Sequence, residues 1–144
     1  MKRICNIVFI LSCFFKVHSQ SATQNCMGAI PICQNNYSQS VSYTGVGTLN
    51  ELNGMNQGCL TTGESNSVWY ILNTSSAGNL VFTITPASNS DYDFAVWDLT
   101  DKSCNAIGAG LQPIRCNYAS LPNSTPGGLT GLSTTSASAS IGAA

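Results

Sequence analysis

Three short runs rich in apolar residues, Val68-Trp69-Tyr70-Ile71-Leu72, Leu80 to Thr85 and Tyr92 to Trp97, begin twelve residues apart, and each is closed by a polar or turn-forming residue. That rhythm predicts strands. In the second run Leu80, Phe82 and Ile84 alternate with Val81, Thr83 and Thr85 until Pro86, which has no amide hydrogen to give a ladder. In the third, Tyr92, Phe94 and Val96 alternate with Asp93, Ala95 and Trp97. The first is continuously apolar and aromatic, the pattern of a short strand buried on both faces. Ser75 to Asn79 and Pro86 to Ser90 supply the turns between them. Tyr37, Gln39, Val41 and Tyr43 also alternate, against Ser38, Ser40, Ser42 and Thr44, and predict an earlier strand with its serine face in water. Leu111 to Tyr118 predicts a later one. Between them Gly45 to Ser67 is rich in glycine, asparagine and threonine and reads as a long loop that carries Glu51 and Glu64. No stretch carries an apolar stripe of helical period, so the expected fold is all-β, an antiparallel sandwich.

The N-terminus has a separate purpose. Met1-Lys2-Arg3 is cationic and is followed by the apolar run Ile4 to Phe15, the anatomy of a secretory signal peptide. Val17-His18-Ser19 places small or apolar residues at the positions a signal peptidase reads, so residues 1–19 are the expected signal and cleavage falls before Gln20. A lipid on Cys13 is the competing reading, opposed by the bulk of Leu11 and by Phe14-Phe15 beyond it. The run is shorter than the roughly 20 residues that span a bilayer.

Removing the signal removes Lys2, Arg3, Lys16 and the one histidine, His18. The remainder sets Lys102 and Arg115 against Glu51, Glu64, Asp91, Asp93, Asp98 and Asp101, a net charge of −4. Nucleic acid is an unsuitable partner for a chain without clustered cations, and charge-driven adhesion to anionic lipid fails for the same reason. Without histidine the chain cannot assemble Ser-His-Asp or Cys-His hydrolytic sites or most zinc sites, so an enzyme is disfavoured. Serine, threonine, asparagine and glycine make up nearly half of the residues after Ser19, a composition that suits a secreted β domain with long polar loops.

Export permits disulfides, and the mature chain keeps five cysteines, Cys26, Cys33, Cys59, Cys104 and Cys116. Cys104 and Cys116 bracket a short loop with Gly108, Gly110 and Pro113, and are the expected pair. Cys26 and Cys33 bracket another, although either could instead reach Cys59, which is left unassigned. No C-x-x-C spacing supports a zinc site.

Beyond Tyr118 the composition changes, and residues 121–144 read as a Ser/Thr/Gly/Ala-rich loop or linker after a β-sandwich domain over 20–120. Across residues 26–118 the sequence resembles a known family. The carriers are Cys26-Met27-Gly28-Ala29-Ile30-Pro31-Ile32-Cys33, Gly58-Cys59-Leu60, Glu64 with Ser67-Val68-Trp69-Tyr70, Gly78 to Ile84, Asp91-Tyr92-Asp93-Phe94-Ala95-Val96-Trp97, and Cys104 with Arg115-Cys116-Asn117-Tyr118. They resemble the jelly-roll-like β-sandwich domains near the N-termini of secreted and cell-surface proteins of Bacteroidetes, many exported by the type IX, gliding-associated system. Those domains are similar in turn to bacterial pre-peptidase C-terminal domains. The resemblance implies a non-catalytic adhesion or ligand-binding module of a larger surface protein, one that binds glycans or mediates cell-surface contact. A structural spacer with no ligand of its own is the alternative. Family members continue into one or two further apolar strands, so the chain is expected to lack the final strands of its sandwich.

Two constellations could carry binding chemistry. Asp91 and Asp93 lie on one side of an extended segment, with Asp98 and Asp101 beyond and Glu64 in the preceding loop, and hard cations take carboxylate and carbonyl oxygens of that kind. A calcium site of Asp91, Asp93, Glu64 and Asp98 is the candidate, against carboxylates that are merely solvated or accept turn hydrogen bonds. Nothing places two acids across a cleft for glycoside hydrolysis. Among Trp69, Trp97, Tyr70, Tyr92 and Tyr118, Trp97 is the candidate for stacking on a sugar, because it alternates away from Tyr92, Phe94 and Val96. Packing is the ordinary role of such residues. The sequons at Asn36, Asn73 and Asn123 matter only in a eukaryotic secretory pathway.

Overall fold

The computed structural model of the chain describes residues 22–88, 90–119, 129–134 and 140–141. The expected export signal over residues 1–19 and its cleavage point lie outside the described residues, as does most of the 121–144 segment. The described chain is β-rich with little helix. Its strands are β1 (Ile30–Ile32), β2 (Tyr70–Leu72), β3 (Phe82–Ile84), β4 (Phe94–Val96), β5 (Arg115–Asn117), β6 (Thr130–Leu132) and β7 (Ser140–Ile141). A 3-10 turn, Cys26–Gly28, precedes β1, and a single helical turn, α1 (Asn105–Gly108), precedes β5.

The three regularly spaced runs form β2, β3 and β4, each shorter than its apolar run, and Leu111 to Tyr118 contributes β5. The pairing is less regular than the spacing suggested. β1 runs parallel to β2 with Pro31 opposite Ile71, β3 pairs antiparallel with β6, and β4-β5-β7 form the third sheet. Ala95 stands opposite Cys116 in the antiparallel β4-β5 ladder, and β7 joins β5 in parallel. These are small sheets, and the antiparallel sandwich expected from the sequence is present as β-rich structure only.

Three expectations are corrected. Residues 36–44 form no strand: the alternating Tyr37, Gln39, Val41 and Tyr43 lie in irregular chain, and Tyr37 and Val41 are exposed. The run 68–72 is not buried on both faces, because Tyr70, Ile71 and Leu72 are all exposed on a strand whose one described neighbour is β1. The segment 121–144 is not wholly linker, since it supplies β6 and β7. Its low-complexity composition conceals β6 because the pairing depends on a missing side chain. A Cβ on Gly131 would collide with the Phe82 carbonyl oxygen and lie 2.9 Å from the Thr83 Cα, so glycine is what lets the two backbones meet.

Much of the core comes from outside the strands. Cys26, Leu52 and Ile107 are buried together, with Leu60, Trp69, Trp97, Leu99 and Cys104 packed against them. They come chiefly from the 3-10 turn, the 45–67 loop and α1, so the segment that reads as a long polar loop is the part that closes the core. Fully buried asparagines hold it there. The Asn25 side chain donates to the Leu49 carbonyl (3.0 Å) and to Glu51 Oε2 (3.2 Å), and accepts from the Thr48 amide (3.0 Å) and hydroxyl (2.7 Å). The Asn56 side chain donates to the Glu51 carbonyl (2.7 Å) and the Ile107 carbonyl (2.5 Å) and accepts from the Asn53 amide (2.6 Å). With few of the described large apolar residues buried, satisfied amides substitute for hydrocarbon in the interior.

The disulfides are Cys26–Cys104 and Cys59–Cys116, and Cys33 is free and exposed. The expected Cys104–Cys116 and Cys26–Cys33 pairs are therefore not formed. The reason lies in what fills the presumed loop: α1 is anchored by Ile107, fully buried, and holds Cys104 against the core beside Cys26. Cys116 sits in mid-strand on β5 and faces the 58–59 turn, where the Cys59 amide lies 3.0 Å from its sulfur. Gly58, at φ 58°, permits this approach, because a Cβ there would run into Pro113. The bridges span separations of 78 and 57 residues and cross in the sequence. In the chain-entropy description each loop of that size contributes about 4 kcal/mol, more than the short loops would.

Candidate functional site

The residues singled out from the sequence are dispersed. Glu64 is buried and fully engaged: Oε1 accepts from the Ser67 hydroxyl (2.6 Å) and the Trp69 indole (3.1 Å), and Oε2 accepts the Glu51 amide (2.9 Å). Asp98 is exposed, and its carboxylate accepts the Thr100 amide at 2.9 Å, a turn bond that lowers its pKa. Asp91 and Asp93 stay exposed next to Tyr92. Asp93 is raised to about 6, first by desolvation and then by the neighbouring Asp91. Among the described residues no three or more His, Cys, Asp or Glu side chains gather around one point, so Asp91, Asp93, Glu64 and Asp98 are not assembled as a calcium cage.

Trp97 is half-buried. Its ring centroid lies 5.2 Å from that of Trp69, its indole donates to the Leu111 carbonyl at 3.0 Å, and both rings pack on the core. The residue expected to stack on a ligand thus serves the interior, and the bonds that hold it there are invisible to an alternation pattern.

Glu51 is the second buried carboxylate. It accepts the Cys26 amide at 2.8 Å and the Asn25 side chain at 3.2 Å, and burial raises its pKa. Every donor to Glu51 and Glu64 named here is neutral. Their four oxygens tie the 3-10 turn, the 45–67 loop and the approach to β2 into one unit.

That unit positions an aromatic surface. The Trp69 amide bonds the Thr23 carbonyl at 2.8 Å and the Ile30 amide bonds the Trp69 carbonyl at 2.9 Å, which fixes the start of β2 and turns Tyr70 outward. Tyr70 meets Tyr37 edge to face, with centroids 5.7 Å apart and planes at 71°. Both phenols donate to Gln39 Oε1, from Tyr37 at 3.2 Å and from Tyr70 at 3.1 Å, while the Gln39 amide group donates to the Val41 carbonyl at 3.1 Å. The Tyr70 phenol's pKa is raised first by desolvation and then by the phenols of Tyr37, Tyr43 and Tyr92. Tyr37, Tyr70 and Tyr92 keep 42%, 39% and 46% of their surface in solvent, so these rings are accessible, Tyr37 and Tyr70 even though they contact each other. Tyr118 stands apart beside Thr62.

Sequence reasoning named Tyr70 and Tyr92 among the aromatics and missed Tyr37, Gln39 and Tyr43 as site residues. The signal was present in the alternation of Tyr37, Gln39, Val41 and Tyr43 along the sequence. No protein-family model matches the chain, and no curated protein or solved structure matches it.

Proposed function

We propose that this chain is an exported, non-catalytic ligand-binding module, that its ligand is carbohydrate, and that Tyr37, Gln39, Tyr43, Tyr70 and Tyr92 form the binding platform. The observation that carries the reading is the exposed Tyr37–Tyr70 pair, two rings from separate segments held by one shared side-chain amide, Gln39, with the phenols of Tyr43 and Tyr92 acting electrostatically on Tyr70. Tyrosines combine a flat apolar face with a polar handle, which is what a sugar ring requires. Two disulfides fit an oxidising, extracellular setting. No helix among the described residues is long and apolar enough to cross a membrane. Against catalysis stand the lack of histidine beyond His18 and the commitment of Glu51 and Glu64 to structural bonds. The described chain is β-rich, as a member of the Bacteroidetes surface domains that the sequence resembles would be, and adhesion at the cell surface is the role such a module would serve.

The crossed disulfides favour a second reading, a stiff spacer within a larger surface protein. A glycan array probed with the oxidised full chain and with its Tyr70→Ala variant separates the two. Binding to a restricted set of glycans that Tyr70→Ala abolishes supports the module, and uniform silence of a folded chain supports the spacer.

A further inference from the structure

Resting on the proposed reading of the tyrosine surface as a glycan platform, we infer that it takes neutral, hydroxyl-rich saccharides and discriminates against acidic or sulfated ones. The argument begins with protons. A phenol has one hydrogen to donate, and those of Tyr37 and Tyr70 are both given to Gln39 Oε1. What each phenol then offers outward is its oxygen as an acceptor, made stronger because its own hydrogen is already engaged. Gln39 keeps one amide hydrogen beyond the bond to Val41. The Tyr37–Gln39–Tyr70 corner of the platform therefore presents mainly acceptors, and the complementary ligand is one rich in hydroxyl donors.

Shape points the same way. Tyr37 and Tyr70 meet at 71°, so one ring supplies a face and the other a wall, a corner that receives a pyranose with its C–H face on one ring and its rim against the other. The flat contact is apolar and the rim is polar, which is the division a neutral sugar carries.

Charge excludes the alternative. The groups that act on the Tyr70 phenol are other tyrosines. The two cations among the described residues contact carbonyls of their own segments: the Lys102 ammonium lies at the Thr100 carbonyl, and the Arg115 guanidinium donates to the Ile114 carbonyl. The nearest charges along the chain to the platform are Asp91 and Asp93, which flank Tyr92. A uronate, sialate or sulfate would find no counter-charge there and would meet repulsion from two carboxylates.

The test titrates the oxidised full chain by calorimetry with cello-, manno- and xylo-oligosaccharides, and with oligogalacturonate, sialyllactose and heparin hexasaccharide, at low and high salt. Binding to at least one neutral ligand, at least tenfold tighter than to any acidic one and unchanged by salt, is expected. Tyr37→Ala and Tyr70→Ala should abolish it, and Tyr70→Phe, which keeps the ring and the fold, should weaken it about two- to tenfold, the worth of one hydrogen bond. Tyr118→Ala should leave it intact. Tighter binding to an acidic ligand that falls with salt overturns the neutral class and leaves the glycan reading standing. Silence on every saccharide, or self-association abolished by Tyr70→Ala in place of saccharide binding, overturns both.

Discussion

The phenols of Tyr37 and Tyr70, thirty-three residues apart in sequence, donate to the same oxygen, Gln39 Oε1, at 3.2 and 3.1 Å. A single side-chain amide thereby orders two exposed rings from different parts of the chain. Gln39→Ala should release both, weakening saccharide binding several-fold while moving the thermal midpoint little, since exposed substitutions away from the core usually change stability by no more than about 0.5 kcal/mol. Calorimetry and a thermal melt on the same sample check the two halves. An equal loss of binding and stability would mean that the cluster is structural.

The disulfide assignment predicts the outcome of non-reducing peptide mapping. Cys26 should be recovered linked to Cys104 and Cys59 to Cys116, with Cys33 alkylated without prior reduction. Replacing Cys59 and Cys116 together by alanine should cost about 2–5 kcal/mol of unfolding free energy, read from denaturant curves. A Cys104–Cys116 peptide would contradict the fold around α1.

The asparagine at position 56 is fully buried and joins the 45–67 loop to α1 through the Glu51 and Ile107 carbonyls. Asn56→Ala leaves two carbonyls and the Asn53 amide short of partners, at about 1–3 kcal/mol for each group that water cannot reach. Denaturant unfolding should show a loss of at least about 2 kcal/mol, larger than that from any single tyrosine on the platform.

Acid should not weaken the chain at first. Asp93 is raised from 3.8 to about 6 and Glu51 is raised from 4.5, so the folded state holds protons that the unfolded state has already released. The stability linked to a raised pKa is fully present below the unfolded value and is lost as pH rises through the folded one. For Asp93 the window runs from about pH 4 to about 6. Thermal midpoints at pH 5 should therefore exceed those at pH 7.5, and Asp93→Asn should remove most of that difference, by a small amount because Asp93 is exposed. Asp98, lowered by its bond from Thr100, acts oppositely, and its contribution is lost only on further acidification. A midpoint that falls from pH 7.5 to 5 would contradict the assignment.

Much of the β content was legible because alternation is a local property. Phe82 and Ile84, or Phe94 and Val96, occupy one side of their segments wherever these pack, and the spacing of the runs located β2, β3 and β4. What the runs could not convey is partnership. β1 and β6 carry Pro31 and Gly131, residues that argue against strands in isolation, and they pair because backbone meets backbone there. The site was half legible. Tyr37, Gln39 and Tyr43 stood out as one face, yet burial decides whether such a face is core or platform, and burial depends on contacts dozens of residues distant. Trp97 was assigned outward by the same alternation and lies against Trp69. Asn25 and Asn56 gave no signal at all, because a buried asparagine has the same letter as the many in solvated loops.

The central claim is tested most directly by fluorine NMR of the full chain carrying 3-fluorotyrosine, titrated with the neutral oligosaccharide that binds best by calorimetry. The chain has five tyrosines, so each resonance can be assigned by single Tyr→Phe substitutions. The resonances of Tyr37, Tyr43, Tyr70 and Tyr92 should shift together along one saturation curve while that of Tyr118 stays fixed. Saturable shifts confined to Tyr118, or no shift from any saccharide that the chain is shown to bind, would contradict the platform.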